Sequence, residues 1–351
     1  MKVAILGDLH WGARSDSPQV IEYFNKFFSH VFFPELDKRN IKDIIQCGDL
    51  VDRRKFININ TAHELHKNFS DPIIEREMSL DIIIGNHDTF YKGTNEINSL
   101  NILYRDAPKN IRYFDSPQEI LKGDTDFLYL PWICDANEKQ SFELIEKTKA
   151  KYLIGHLELS GFEMYKGHVA DEGLDRGLFK KFDAVFTGHY HTRSINGNVS
   201  YVGTPYEIVW SDYNDPRGFI ILDTNTGETE FIKNPLSLFH RITYDENKID
   251  VKTFDYEKYR NSYVKIVVMN NKQQWIMDEF LSRFNKIDTI DLQVIDESIM
   301  IDTNVDVDMD QVEDTFSILN NYVDKIELPD KNKLRTEIIE LYLEAMQLNK
   351  E

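Results

Sequence analysis

Residues 80–88 read Leu80-Asp81-Ile82-Ile83-Ile84-Gly85-Asn86-His87-Asp88. Such a branched aliphatic run is the pattern of a strand covered on both faces, as in a parallel sheet flanked by helices. Its abrupt end in Gly-Asn-His-Asp puts ligand and acid–base side chains at the carboxyl end of a strand, where α/β sheets build their sites. The same arrangement recurs four times. Strand-like residues 2–6 run into Asp8-Leu9-His10, and residues 41–46 into Gly48-Asp49. Residues 152–154 run into Gly155-His156, and residues 184–187 into Gly188-His189-Tyr190-His191.

Asp and His ligands suit manganese, iron or zinc, and none of the five motifs supplies a thiolate. Asp49 has two carboxylate oxygens with which to bridge two ions. The glycines preceding Asp49, Asn86, His156 and His189 let the backbone come close or take turns barred to larger residues. Two clustered divalent cations activate water and clamp a phosphate, so the complete set points to phosphate-ester chemistry. Any single motif is weak, because Gly-Asp after a strand is commonly a turn and one strand-end His is commonly a satisfied polar residue. The weight comes from the ordered set, which takes five of the ten histidines. His30, His63, His66, His168 and His240 lack such context and read as ordinary surface or core residues.

Working outward, residues 18–38 and 60–76 read as helices, the first with Val20, Phe24, Phe27, Phe28 and Val31 near helical spacing and the second capped by Asn60 or Thr61. Further strands are expected at 126–130, 200–202, 218–223 and 228–232, the last two joined as a hairpin through Asn225-Thr226-Gly227. The pattern changes near Asn234-Pro235. Residues 263–269, 273–284 and 289–295 then read as strand, helix and strand, a small α+β unit that must dock on the first. Short and C-terminal helices are expected at 309–323 and 333–348, the latter with Leu334, Ile338, Leu341, Tyr342, Ala345 and Leu348 on one face.

At 41% hydrophobic and 12% aromatic residues the chain is globular rather than disordered. Two cysteines, Cys47 and Cys134, cannot form a disulfide framework and lack zinc-site spacing. The absence of a membrane-length apolar run and of a signal-peptide layout leads us to expect a cytoplasmic protein with no membrane contact. The net charge of −19 argues against a general nucleic-acid surface, but residues 296–330 hold eleven acids against one base. Local basic clusters survive, notably Arg53-Arg54-Lys55 and Lys38-Arg39, so any DNA contact would be local.

Taken in order, the motifs resemble those of the calcineurin-like metallophosphoesterase superfamily. The resemblance implies an α/β fold, a two-sheet β-sandwich flanked by helices. It implies that Asp8, His10, Asp49 and His191 hold one metal, that Asp49, Asn86, His156 and His189 hold the other, and that His87 protonates the leaving oxygen. Gly48-Asp49-Leu50-Val51-Asp52-Arg53 resembles the protein-phosphatase form, which implies that Asp52 pairs with His87 and that Arg53 contacts phosphate.

Leu130-Pro131-Trp132, Gly203-Thr204-Pro205 and Asp215-Pro216-Arg217-Gly218-Phe219 resemble segments of the SbcD-type double-strand-break-repair nucleases. Residues 155–162 (Gly-His-Leu-Glu-Leu-Ser-Gly-Phe) resemble phage members of that family. Some members carry His where this chain has Asp52, whereas bacterial and phage members carry Asp.

This resemblance implies a DNA exonuclease and endonuclease subunit with two divalent ions, manganese or magnesium, acting on double- and single-stranded DNA ends. It implies a nuclease domain at 1–235, an α+β capping and DNA-binding domain at 236–300, an acidic linker at 301–330, and a C-terminal helix at 331–351 that binds an SMC-like ATPase. A homodimer is also implied, with its face on 60–76 or 95–105. Two alternatives stand beside it: a phosphomonoesterase or protein phosphatase, suggested by Asp52-Arg53, and a catalytically silent scaffold, against which the intact ligand set argues.

Overall fold

The computed structural model describes residues 1–165 and 167–296. The linker 301–330, the helix expected at 309–323 and the C-terminal helix expected at 333–348 lie outside the described residues.

In chain order the first strands are β1 (Lys2–Leu6), β2 (Asp43–Gln46), β3 (Ser79–Ile83), β4 (Ile111–Phe114), β5 (Gln118–Lys122), β6 (Thr125–Leu130) and β7 (Tyr152–His156). There follow β8 (Glu163–Tyr165), β9 (His168–Val169), β10 (Ala184–Gly188), β11 (Ser194–Asn196), β12 (Val199–Tyr201), β13 (Gly218–Asp223) and β14 (Thr229–Lys233). The chain continues through β15 (Phe239–Asp245), β16 (Tyr263–Asn270) and β17 (Asp291–Asp296). Two six-stranded sheets form, in the orders β14-β13-β1-β2-β3-β4 and β11-β12-β10-β7-β6-β5. Both are mixed: β1 to β4 run parallel, as do β6, β7, β10 and β12, with antiparallel strands toward the edges. The 218–233 hairpin folds as read, with Gly227 at φ 78° and its N–H on the Asp223 carbonyl.

The alternation of side chains explains why these strands are apolar throughout. Val3, Ile5, Ile45 and Ile83 of one sheet meet Phe127, Tyr129, Tyr152, Ile154 and Phe186 of the other in the layer between the sheets. Their neighbours Ala4, Leu6, Ile44, Leu80 and Ile82 face the helices on one outer side, and Leu128, Leu153 and Val185 face the other. With both faces of each central strand covered, period-two polarity disappears.

Residues 18–39 are helical, as the spacing predicts, but not of uniform pitch. Helix α1 (Pro18–Phe27) passes through a π turn (Phe28–Phe32) into α2 (Phe33–Arg39), where the Phe33 N–H reaches the Phe28 carbonyl five residues back. The device repeats in α3 (Ile59–Leu65), a π turn (His66–Ser70) and α4 (Asp71–Glu75), with the Asp71 N–H on the His66 carbonyl. Pro34 and Pro72 follow the two π turns. A proline removes one N–H and collides with the carbonyl four residues back, and the wider turn relieves both. The second helix is capped by Asn58, whose side chain accepts from the Asn60 N–H at 2.8 Å, rather than by Asn60 or Thr61. Val20, Phe24, Phe27 and Phe28 are fully buried in the core, as their spacing implied.

Beyond Asn234 a parallel sheet, β15-β16-β17, packs on helix α5 (Gln274–Phe284) through Ile242, Tyr244, Ile266, Phe280 and Phe284. Its first strand, β15, escaped the sequence reading because His240, Arg241 and Thr243 interrupt the apolar pattern. Glu207 anchors this unit to the sandwich: one buried carboxylate oxygen accepts the N–H groups of Leu238 (2.5 Å) and Phe239 (2.9 Å). The Arg14 guanidinium lies 4.8 Å from the Tyr263 ring centroid and 5.6 Å from that of Phe239.

Candidate metal centre

The parallel registers bring the five loops to one end of the sandwich. β1, β2 and β3 are neighbours in one sheet and point Asp8, His10, Asp49, Asn86 and His87 past their carboxyl ends. β7 and β10 are neighbours in the other, with His156 paired to Gly188 in register, so His156, His189 and His191 reach the same place. The loops are pinned together: the N–H groups of Leu9 and His10 both donate to the Asp49 carbonyl at 3.0 Å. His10 (φ 45°), Asp49 (φ 54°) and His189 (φ 92°) all take left-handed backbone conformations that cost energy in non-glycine residues. Gly48 (φ 92°) is required twice over, since a Cβ there would strike the His156 ring. Gly188 is required by space, because its Cβ would overlap an Asp8 carboxylate oxygen.

Asp8, His10 and His191 place one ligand atom each within 4.8 Å of one another, as do His10, Asp49 and His87. The Nε2 atoms of His10 and His191 are 2.9 Å apart. Asn86 Oδ1 lies 2.8 Å from His156 Nε2 and 3.0 Å from His189 Nδ1. His156 Nδ1 is 2.8 Å from the Cys47 carbonyl, which can only accept, so the proton sits on Nδ1 and Nε2 is free to ligate. All eight expected ligand and acid positions therefore meet in one cluster. The five remaining histidines belong to none of these groups.

The electrostatics fit cations. Asp8 is fully buried, and burial together with Asp49 pushes its carboxyl up to about 7 despite His156 and His10. For Asp49 burial works the same way, yet the imidazoles of His156, His10 and His87 outweigh it and hold the carboxyl well below the usual range. Burial lowers His156, but Asp49 and Asp8 raise it to about 9. Burial and the nearby His156 hold His189 down at about 3, and burial with His10 holds His191 well below the ordinary imidazole range. Carboxylates and imidazoles pushed in opposite directions crowd together here, an arrangement that divalent cations would suit.

Asp52 departs from the pairing implied by the protein-phosphatase resemblance. His87 Nδ1 contacts the main-chain carbonyl of Asp52 at 2.6 Å, while the Asp52 carboxylate turns to His10 Nδ1 at 3.4 Å. Burial lowers His10, but the Asp52 carboxylate and the charges of Asp49 and Asp8 raise it to about 9. Arg53 stands at the rim, paired with Asp16 and 4.5 Å over the Phe56 ring. Asp16 also accepts from Thr61 Oγ1 at 2.7 Å and closes a turn in which Arg14, Ser15 and Asp16 are all left-handed.

Sequence reasoning assigned no role to several supporting residues. Buried Gln46 ties Gly7 to Gly48. Asp88 accepts the N–H groups of Gly85 (2.9 Å) and Val51 (3.2 Å). Arg217 donates to the His191 carbonyl and to Thr204 Oγ1, and pairs with Asp212 and Asp215. The Trp132 ring packs 5.1 Å from that of His189. A polar Gln46 inside an apolar strand was a usable signal; Val51 as a partner of Asp88, and His191 and Thr204 as partners of Arg217, are distant in sequence and gave none.

The calcineurin-like phosphoesterase family profile matches residues 1–193. The chain belongs to this family. Among curated proteins, this phosphoesterase is 32% identical to exonuclease subunit 1 of Enterobacteria phage T4, over 99% of its own length and 100% of that protein. A solved structure described as a novel archaeal phosphodiesterase covers 67% of the phosphoesterase chain and all of its own, at 14% identity and a TM-score of 0.31. Membership implies divalent metals, and the clusters described above are where this phosphoesterase would hold them. Among the described residues, no helix is long and apolar enough to cross a membrane.

Proposed function

We propose that the chain is the nuclease subunit of a DNA-end-processing complex, hydrolysing phosphodiesters with two divalent metals, manganese or magnesium. The convergence of Asp8, His10, Asp49, Asn86, His156, His189 and His191 around His87 carries this reading. Two ions held there would supply Lewis-acid clamping of a phosphate and activation of water.

The protein's own groups do the rest. A carbonyl can only accept, so His87 Nδ1 donates to Asp52 and Nε2 faces the substrate. Hydrolysis joins a water oxygen to phosphorus and breaks the bond to a sugar oxygen; with His87 doubly protonated, that oxygen takes the Nε2 proton, and the proton released by the water restores the ring. The loops beside His87 suit nucleic acid. Phe56 (59% exposed), Phe90 and Tyr91 (54% exposed) offer stacking faces, with Arg54, Lys55 and Lys92 alongside for phosphates.

The full-length relative is by name an exonuclease subunit, which supports a partner for this chain. We assign that role to an SMC-like ATPase bound by residues 331–351 beyond the linker 301–330, and a capping role to residues 236–300. Exposed Ile74 and Ile102, which line one surface cavity, support a homodimer face on 60–76 or 95–105. The engagement of Arg53 by Asp16 weakens the protein-phosphatase alternative, which needs that guanidinium for phosphate.

The test is cleavage of linear duplex DNA by the purified chain with manganese. Loss of about 10²- to 10⁴-fold is expected in His87→Ala. Preference for a phosphopeptide over DNA, or unchanged cleavage in the variant, would sink the proposal.

A further inference from the structure

Beside the metal cluster lies a cavity of about 230 Å³ that shares His156 as one wall. We propose that this cavity receives the base of the nucleotide whose phosphate is being hydrolysed; the proposal rests on the phosphodiesterase reading above. One side is the first turn of the helix Glu138–Lys147, where Glu138 and Phe142 are four residues apart and share a face. The opposite side is the chain around Glu158 and Leu174, fixed by the Leu174 N–H on the Glu158 carbonyl at 2.8 Å and a strand bridge between Leu159 and Leu174. Trp132 closes the end next to the ligands, packed against both His189 and His156.

Three features select a nucleobase. Trp132, Phe142 and Leu174 are half-buried apolar walls able to hold a flat ring, and unstacked bases are held between such side chains. The charged lining groups are the exposed carboxylates Glu138 and Glu158, which repel phosphate and accept N–H donors. Adenine and cytosine offer exocyclic amino groups, while thymine offers carbonyl oxygens there. Finally, the shared His156 wall sets the cavity within one nucleotide of a phosphate held at the ligands.

The experiment uses the full chain with manganese and short single strands ending in a normal base or an abasic sugar. A non-hydrolysable dinucleotide carrying 2-aminopurine reports stacking by quenched emission. The abasic strand is expected to be cleaved with kcat/KM about tenfold or more below the normal strand. Phe142→Ala is expected to erase that difference and the quenching. Glu138→Gln with Glu158→Gln, on exposed positions tolerant of change, is expected to remove a preference for adenine and cytosine over thymine. Equal cleavage of normal and abasic strands by the unsubstituted chain would overturn the pocket, as would Phe142→Ala slowing both alike. Failure to cleave either strand would instead overturn the phosphodiesterase reading, and the 2-aminopurine emission would then decide the pocket alone.

Discussion

Replacing Asp52 by asparagine separates two roles that this residue could play. Its carboxylate lies 3.4 Å from His10 Nδ1, while the contact to His87 Nδ1 is made by its main-chain carbonyl at 2.6 Å. The substitution keeps the backbone and so keeps His87 in place. It removes the negative charge that orients His10 and makes it a better ligand. Losing such an outer partner typically weakens metal binding about 10- to 100-fold, or roughly 1.4–2.8 kcal/mol. Manganese titration of phosphodiester hydrolysis should therefore show the half-saturating metal concentration rising by that factor in Asp52→Asn. At saturating manganese, kcat should return to within a few-fold of the unsubstituted chain. A kcat held down about 10²- to 10⁴-fold at saturating metal, with unchanged metal dependence, would mean that the carboxylate serves His87 as an acid–base partner. That result would refute the geometric argument.

In Gly188→Ala the new Cβ overlaps the Asp8 carboxylate, an overpacking that costs about 1–3 kcal/mol and displaces a ligand, so bound metal per chain measured by elemental analysis should fall while far-UV circular dichroism is retained. Chelation should lower Tm, and added manganese should raise it in proportion to the logarithm of its concentration; a Tm indifferent to manganese would remove the metal assignment. Burial pushes Glu207 up from 4.5 to about 7 against the lowering pull of the Phe239 and Leu238 N–H groups. The folded chain thus keeps a proton that the unfolded chain has released, and this contribution to stability is lost as pH rises from about 4.5 to about 7. Denaturant titrations across that window should show the decline flattened in Glu207→Gln, and an identical slope would exclude Glu207 as its source.

Much of this protein is legible in one dimension because its central strands are covered on both faces, which leaves apolar runs that stop abruptly where ligands begin. That physical cause made β1, β2, β3, β7 and β10 readable together with the ligands that follow them. The strands β4, β5 and β11 lie at sheet edges, and β15 carries polar residues, so no such signal marked them. The two proline-bearing helices could be placed by their apolar spacing, but the π turns that accommodate Pro34 and Pro72 follow from local sterics that spacing does not encode. The motifs named the side chains that converge in the cluster, because metal chemistry restricts which side chains serve. Partnerships among supporting groups were decided only by the tertiary structure. Asp52 turns its carboxylate to His10, Asp16 takes Arg53, and Arg217 braces the His191 loop; each depends on where loops distant in sequence meet, the first two after neighbouring strands of one sheet and the third across the two sheets, and no periodicity along the chain records that meeting.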